Sequence, residues 1–415
     1  METESFGLLS PYRVLDLADE KGIFCGKLLG DLGADVIKVE RPGGDPVRNH
    51  GPFYHDEPHP ERSLFWFAFN TNKRGITLNI ETADGQEIFR RLARTADFVV
   101  ESFAPGYMDS LGLGYRDLEK INPRLIMVSI TPFGQTGPYS SYKDTGLVTW
   151  AMCGFMNPRR DPERGPVQIS HHAQTFVAAG IEGAVGAMLA LYDRWQTGEG
   201  QQVDVSAHEA GGRGSPPIGW VMLKIRGQQE LRLAGGAGLN TRYLWPCKDG
   251  LVMWFYAAGA QGNRRSRPLV EWMEEEGFAD DYLKSIDWDT LNLREAGQEA
   301  VDRMAEPTAR FFMAHTKAEL FEGAVKRRIL LYPVSTVKDI VESPQLAARG
   351  FWTEVEHPEL GTTITYPRPF ANIIGAPLKI ARRAPLIGEH NREIYEQELG
   401  MDRQELVALK QAGVI

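Results

Sequence analysis

Few residues in this chain combine the type and the spacing that chemistry needs. His171 and His172 stand side by side, and imidazoles can move protons or hold a metal. No Cys or carboxylate lies at metal-ligand spacing from them, since no acidic residue occurs between Glu163 and Glu182. The pair therefore reads better as part of a loop than as a metal site. Cys25, Cys153 and Cys247 are widely separated, which gives neither a disulfide framework nor a zinc pattern, so each reads as a small buried hydrophobe. Familiar catalytic signatures are missing: there is no phosphate-binding G-x-x-x-x-G-K-[ST] loop, no H-E-x-x-H, no G-x-S-x-G elbow and no G-x-G-x-x-G after the first strand. Common nucleotide hydrolases, zinc proteases, α/β-hydrolases and nicotinamide dehydrogenases are thereby disfavoured. The glycine run Ala234 to Gly238 reads equally as a lid over a site or as a linker.

The elements that must position any site follow from periodicity. The strand-like runs are Arg13 to Leu17, Asp35 to Glu40, Gly75 to Ile80, Phe98 to Val100 and Leu125 to Ile130, with helical segments Gly22 to Leu32 and Asp84 to Ala96 among them. This alternation predicts an α/β fold with a parallel sheet covered on both faces, and a ligand at the carboxyl ends of its strands. A long helix, about Ala173 to Trp195, leads into a further strand at Gln202 to Val205. Its apolar stretch, Phe176 to Tyr192, is interrupted by Glu182 and reads as a core helix rather than a membrane span.

Beyond the glycine-rich residues 211–219, two strands flank Lys248-Asp249-Gly250, and helices are expected at Arg267 to Glu276 and Ala300 to Phe312. The expected organisation is a large Rossmann-like domain begun by residues 1–210, a smaller α+β domain at 225–330, and a return of 335–415 to the large domain, ending in a helix from Asp402 to Gln411. The chain has 415 residues, 42% hydrophobic and 24% charged, with a formal net charge of −9. That balance fits a globular protein and disfavours nucleic acid or an anionic membrane as partner. The N-terminus carries no signal-peptide pattern, so a cytoplasmic location is expected.

Six ordered segments carry a resemblance to a known family. They are Leu32 to Pro42, Asn72 to Ile76, Gly134 to Pro138, Arg194 to Gln201, Ala348 to Phe351 and Ala384 to His390. In order and spacing they resemble the class III CoA-transferases, the CaiB/BaiF family, over essentially the whole chain. The resemblance implies an interlocked dimer, with the large domain built from both chain ends. It also implies CoA thioester substrates without a tightly bound cofactor or a metal. The implied chemistry is covalent: an Asp carboxylate attacks the donor acyl-CoA and carries CoA as an aspartyl thioester to the acceptor acid. Arg41, Lys73, Arg74 and Lys143 match family positions near the CoA phosphates, with a solvated or salt-bridged surface charge as the alternative for each; Ser102 and Phe103 match positions beside the adenine and pantetheine path, with Phe103 reading equally as core. A family Arg after the Pro-Gly turn is missing from Tyr107-Met108-Asp109-Ser110.

The nucleophile is the main departure. Counted back from Leu191 and Gly198, its position falls at Thr175 or Phe176, and neither side chain can form the thioester. Glu182 lies nearly two helical turns further on. A second family acid is replaced as well: Gly146 stands at its position, with Asp144 two residues away. Within the family, one arrangement pairs an Asp-bearing subunit with a paralogue that lacks the Asp. The resemblance thus implies a non-nucleophilic subunit of a heteromer that moves CoA from succinyl-CoA to an aromatic succinate such as (R)-benzylsuccinate, a reaction of anaerobic toluene degradation. Two other readings stay open. One is an independent isomerase, lyase or thioesterase using Glu182 or the histidine pair; the other is a non-catalytic acyl-CoA-binding protein.

Overall fold

The computed structural model describes residues 7–154, 156, 173–213, 239, 241–257 and 262–415. The histidine pair and the Ala234 to Gly238 run lie outside these. The chain divides into two units, one of residues 1–157, 167–218 and 348–415, the other of 158–166 and 219–347.

The first unit is built on six parallel strands: β1 (Arg13–Asp16), β2 (Asp35–Glu40), β3 (Lys73–Thr77), β4 (Phe98–Glu101), β5 (Ile126–Thr131) and β6 (Gln202–Ser206). Their order is β3-β2-β1-β4-β5-β6. This is the doubly wound Rossmann order, which reverses between β1 and β4 and leaves a crevice at the carboxyl ends of those two strands. The α/β expectation is met, with one shift: β3 begins at Lys73, two residues before the Gly75 start. Charged residues read as a turn in sequence, yet Lys73 and Arg74 are both buried here because carboxylates receive them.

Helices α1 (Ile23–Asp31), α2 (Leu64–Asn70), α3 (Ala83–Ala93), α4 (Tyr107–Ser110), α5 (Tyr115–Leu118), α6 (Leu147–Met152), α7 (Gln174–Thr197) and α8 (Ala207–Arg213) complete the amino-terminal part of this unit. Two apolar cores form, one on each sheet face. On one face α3 packs Ile88, Phe89 and Leu92 over Leu15, Ile37 and Val99. On the other α7 packs Phe176, Ala179, Ala187 and Leu191 with Val14, Val128 and Ile130.

By length and composition α7 could cross a membrane, but its buried face belongs to this core. Small residues let it approach closely: a Cβ on Gly180 would stand 2.8 Å from the Phe24 Cβ, and one on Gly183 2.8 Å from Ile130 Cδ1. The helix ends at Gly198, whose φ of 81° suits glycine.

Residues 348–415 return to the same unit. They add an antiparallel hairpin, β10 (Trp352–His357) with β11 (Thr362–Pro367), and a helix at Arg403–Gln411 capped by Asp402 through Gln404 N and Glu405 N. They also line the open edge of β3. His390 N donates to Gly75 O (2.9 Å), Gly75 N to His390 Nδ1 (3.1 Å), Thr77 N to Asn391 Oδ1 (2.9 Å) and Tyr395 OH to Thr77 O (2.7 Å).

The second unit is α+β. Strands β7 (Leu244–Cys247), β8 (Gly250–Met253) and β9 (Tyr332–Pro333) form an antiparallel sheet, with the Lys248-Asp249 turn joining the first two. Helices Arg267–Glu275, Leu293–Ala314 and Lys317–Arg327 accompany it. The core holds Trp245, Trp254, Trp272, Phe311 and Phe312.

Candidate active site

At the carboxyl ends of the first unit's strands lies a cavity of about 390 Å³. Glu20 from the β1–α1 loop and Ile23 and Phe24 at the start of α1 form one side; Phe65 and Phe69 of α2 form another. Asn49, His50 and Gly51 come from the loop after β2, Thr145 precedes α6, and Ala173, Phe176 and Val177 open α7.

Local sequence explains these placements. Ser63 starts α2 by accepting Trp66 N at 3.1 Å, and Phe65 and Phe69, four apart, then share a helix face. Their rings lie 4.6 Å apart, with Phe24 edge-on to Phe69 at 5.6 Å. The loop carrying Asn49 and His50 is held by the fully buried Arg48. Its guanidinium pairs with Glu40 (2.6 Å) and Glu61 (2.7 Å) and sits 3.7 Å from the Trp66 ring centroid. A planar, five-donor cation is suited to such a combined ion pair and stack.

Beside this frame runs a buried charge network. Lys73 Nζ donates to Asp16 (2.7 Å), Asn70 (3.0 Å) and Ile23 O (3.1 Å), and Lys38 Nζ to Ala18 O (2.5 Å) and Asp45 (3.3 Å). Within the cavity, Glu20 Oε2 lies 3.3 Å from His50 Nδ1. Burial, above the opposing pull of His50, raises the Glu20 carboxyl above its ordinary range. Glu101, at the end of β4, is 4% exposed and pushed up to about 7 by burial, although it accepts from Phe103 N at 2.8 Å and from the Ser129 hydroxyl.

The sequence-derived site residues fall into three groups. Arg41 and Lys143 are exposed at the carboxyl side of the sheet, following β2 and β5, and make no side-chain hydrogen bond or ion pair among the described residues. Ser102 and Phe103 follow β4; the Ser102 hydroxyl donates to Asp19 Oδ1 (2.7 Å) and accepts Asp19 N (2.9 Å), while the half-buried Phe103 ring packs 4.7 Å from Tyr107.

Lys73 and Arg74 form the third group, and the expectation of phosphate contact is corrected for both. Lys73 is 0% exposed and spends its donors on the network just described. Arg74 is committed to Asp35 (2.6 Å), Glu393 (2.6 Å) and Glu398 (2.5 Å).

At the expected nucleophile position, the buried Phe176 lines the cavity in the first turn of α7. Thr175 is fully buried, its hydroxyl 3.0 Å from that of Thr149, which donates to Asp144 Oδ2 at 2.7 Å. Asp144 also accepts Gly146 N (2.9 Å) and Thr149 N (3.2 Å), so it organises the start of α6. Glu182 is ion-paired with Arg213 and is not among the residues that line the cavity. The carboxyl that the cavity does contain, Glu20, is pushed toward its protonated form, the opposite of what a carboxylate nucleophile needs. Sequence reasoning missed Glu20 and His50. The available signal was the loop after the first strand, where a Rossmann sheet places its ligand; His50 had none.

The model of CoA-transferase family III matches residues 9–391. The chain is 36% identical over 414 residues to the succinyl-CoA:(R)-benzylsuccinate CoA-transferase subunit BbsE of Thauera aromatica, covering 98% of both chains. It is 32% identical to the succinyl-CoA–D-citramalate CoA-transferase of Chloroflexus aurantiacus, again over 98% of each. In three dimensions it is similar to a CaiB/BaiF family protein from Brucella suis, at a TM-score of 0.79 and 28% identity over 94% of this chain and 99% of that one. With a Rossmann sheet, a cavity at its carboxyl ends and these likenesses, the chain belongs to the class III CoA-transferases.

Proposed function

We propose that this chain is the non-nucleophilic subunit of a heteromeric CoA-transferase. The reaction moves CoA from succinyl-CoA to an aromatic succinate such as (R)-benzylsuccinate. The observation that carries the reading is Phe176: a benzyl side chain stands in the first turn of α7, at the cavity, where the transfer chemistry requires a carboxylate. The likeness to BbsE, itself a subunit, supports the heteromer and the acceptor. The partner is an Asp-bearing paralogue in an interlocked pair, and its carboxylate takes up CoA as the aspartyl thioester. In this subunit Arg41 and Lys143 meet the CoA phosphates as exposed cations, and Phe103 offers a partly open ring beside the pantetheine path. The pair works in the cytoplasm.

The test is CoA transfer from succinyl-CoA to (R)-benzylsuccinate by this chain alone and by the chain co-expressed with an Asp-bearing paralogue. Activity in the pair and none from the chain alone is expected. Turnover by the chain alone would overturn the reading and direct attention to Glu20, His50 and the His171-His172 pair. An inactive pair that still binds CoA would favour a binding protein. Phe176→Asp tests the same point within this chain: weak activity gained alone would show that little but the carboxylate separates it from a nucleophilic subunit.

A further inference from the structure

We infer that the cavity is a non-reacting binding site for the aromatic ring of an aryl-substituted carboxylic acid, with Phe176 as the residue that sets its preference. The inference rests on the reading above for the ligand's identity, but its argument is the cavity's own chemistry. Four phenyl rings, Phe24, Phe65, Phe69 and Phe176, line it together with Ile23 and Val177. Three of the rings are already locked by mutual edge-on and tilted contacts, and His50 stands edge-on to Phe65 at 5.7 Å. Pre-ordered rings receive a further ring at little entropic cost, through offset or edge contacts.

Of the polar residues that line it, Glu20, Asn49, His50 and Thr145, the acidic Glu20 disfavours entry by the other end of such a ligand. A carboxylate would leave water for a cavity walled in large part by phenyl groups and lie near Glu20, whose carboxyl already has the His50 imidazole 3.3 Å away. The neutral ring suffers neither cost. A short dicarboxylate without a ring gains none of the ring contacts and is disfavoured, while an aryl succinate enters ring first and keeps its carboxylates outside. One residue accounts for both properties of the site: as Phe, position 176 removes the nucleophile and completes the apolar wall. The acid bound here leaves unchanged.

The experiment is calorimetric titration of the full chain, alone and in complex with an Asp-bearing paralogue, with (R)-benzylsuccinate, its CoA thioester and succinate as probes. Binding of either benzyl ligand, with succinate weaker by about tenfold or more, is expected. Phe176→Asp should weaken the benzyl ligand by about tenfold or more, because it places a charge in the wall, and Phe176→Leu by a few-fold. Thermal melting of both variants confirms folding, and Phe176→Leu keeps the comparison available if the Asp variant unfolds. Equal affinity for benzylsuccinate and succinate, indifference to both substitutions, or no binding of a benzyl ligand to the chain or its complex would overturn the inference. Lost transfer with intact ring binding would count against the heteromer reading alone, and intact transfer with no ring binding here against this inference alone.

Discussion

Replacing Glu101 by Gln tests the electrostatics at the end of β4. The carboxyl is 4% exposed and its proton is held up to about pH 7, against an ordinary 4.5, with burial as the foremost cause. Between those values the folded protein binds the proton and the unfolded chain does not. Stability from this group is therefore complete below about pH 4.5 and is lost as the pH rises through about 7. The displacement corresponds to about 3 kcal/mol.

Glutamine keeps an oxygen for Phe103 N but never ionises, so the variant should match the wild type near pH 4.5 and exceed it by up to about 3 kcal/mol at pH 8.5. Urea unfolding of both proteins across this range provides the measurement. Other titrating groups are common to both, so the difference between them isolates Glu101. A difference that is flat with pH, or that favours the wild type at pH 8.5, would refute the account of a buried carboxyl held near neutrality.

Two further outcomes follow from the charges. Lys73→Met takes the nearer cation from the buried Asp16, leaving it Lys38 at 3.9 Å, and should cost about 3 kcal/mol in urea unfolding, with the double variant Asp16→Asn/Lys73→Met recovering most of it. If the single variant is as stable as the wild type, the network has no structural role. Arg41→Ala and Lys143→Ala should each weaken CoA binding several-fold in titration while leaving the melting temperature in place, because both side chains are exposed. Unchanged CoA affinity in both would remove them as phosphate contacts.

Much of the architecture was legible because strand and helix alternate and the strands β2, β4 and β5 are rich in buried β-branched residues. The boundary at β3 was not, since nothing local tells that Lys73 and Arg74 will find Asp16, Asp35 and two glutamates more than three hundred residues away. The empty nucleophile position was legible by counting back along one helix from Gly198, a local operation. The cavity around it was not, because it joins Glu20, His50, Phe65 and Phe176 from four separate segments. A lone histidine in Arg48-Asn49-His50 has no periodicity or motif. Its neighbour Arg48, buried through Glu40, Glu61 and Trp66, is what fixes it. The same blindness made Lys73 and Arg74 look like ligand contacts: residue type shows a charge, and only the fold shows where it is spent.

The sealing of the β3 edge by the carboxyl-terminal segment has a consequence in time. Gly75 and His390, which bond through both backbone and imidazole, are 315 residues apart. At usual translation speeds the strand waits on the order of 15–60 s for the residues that close it. Through that interval its free amides and carbonyls are open to any extended segment nearby, including the same strand of a chain on the next ribosome. The last tenth of the polypeptide thus acts as an internal chaperone for its first fifth, and a message broken near its end would yield a sticky product rather than a merely shortened one.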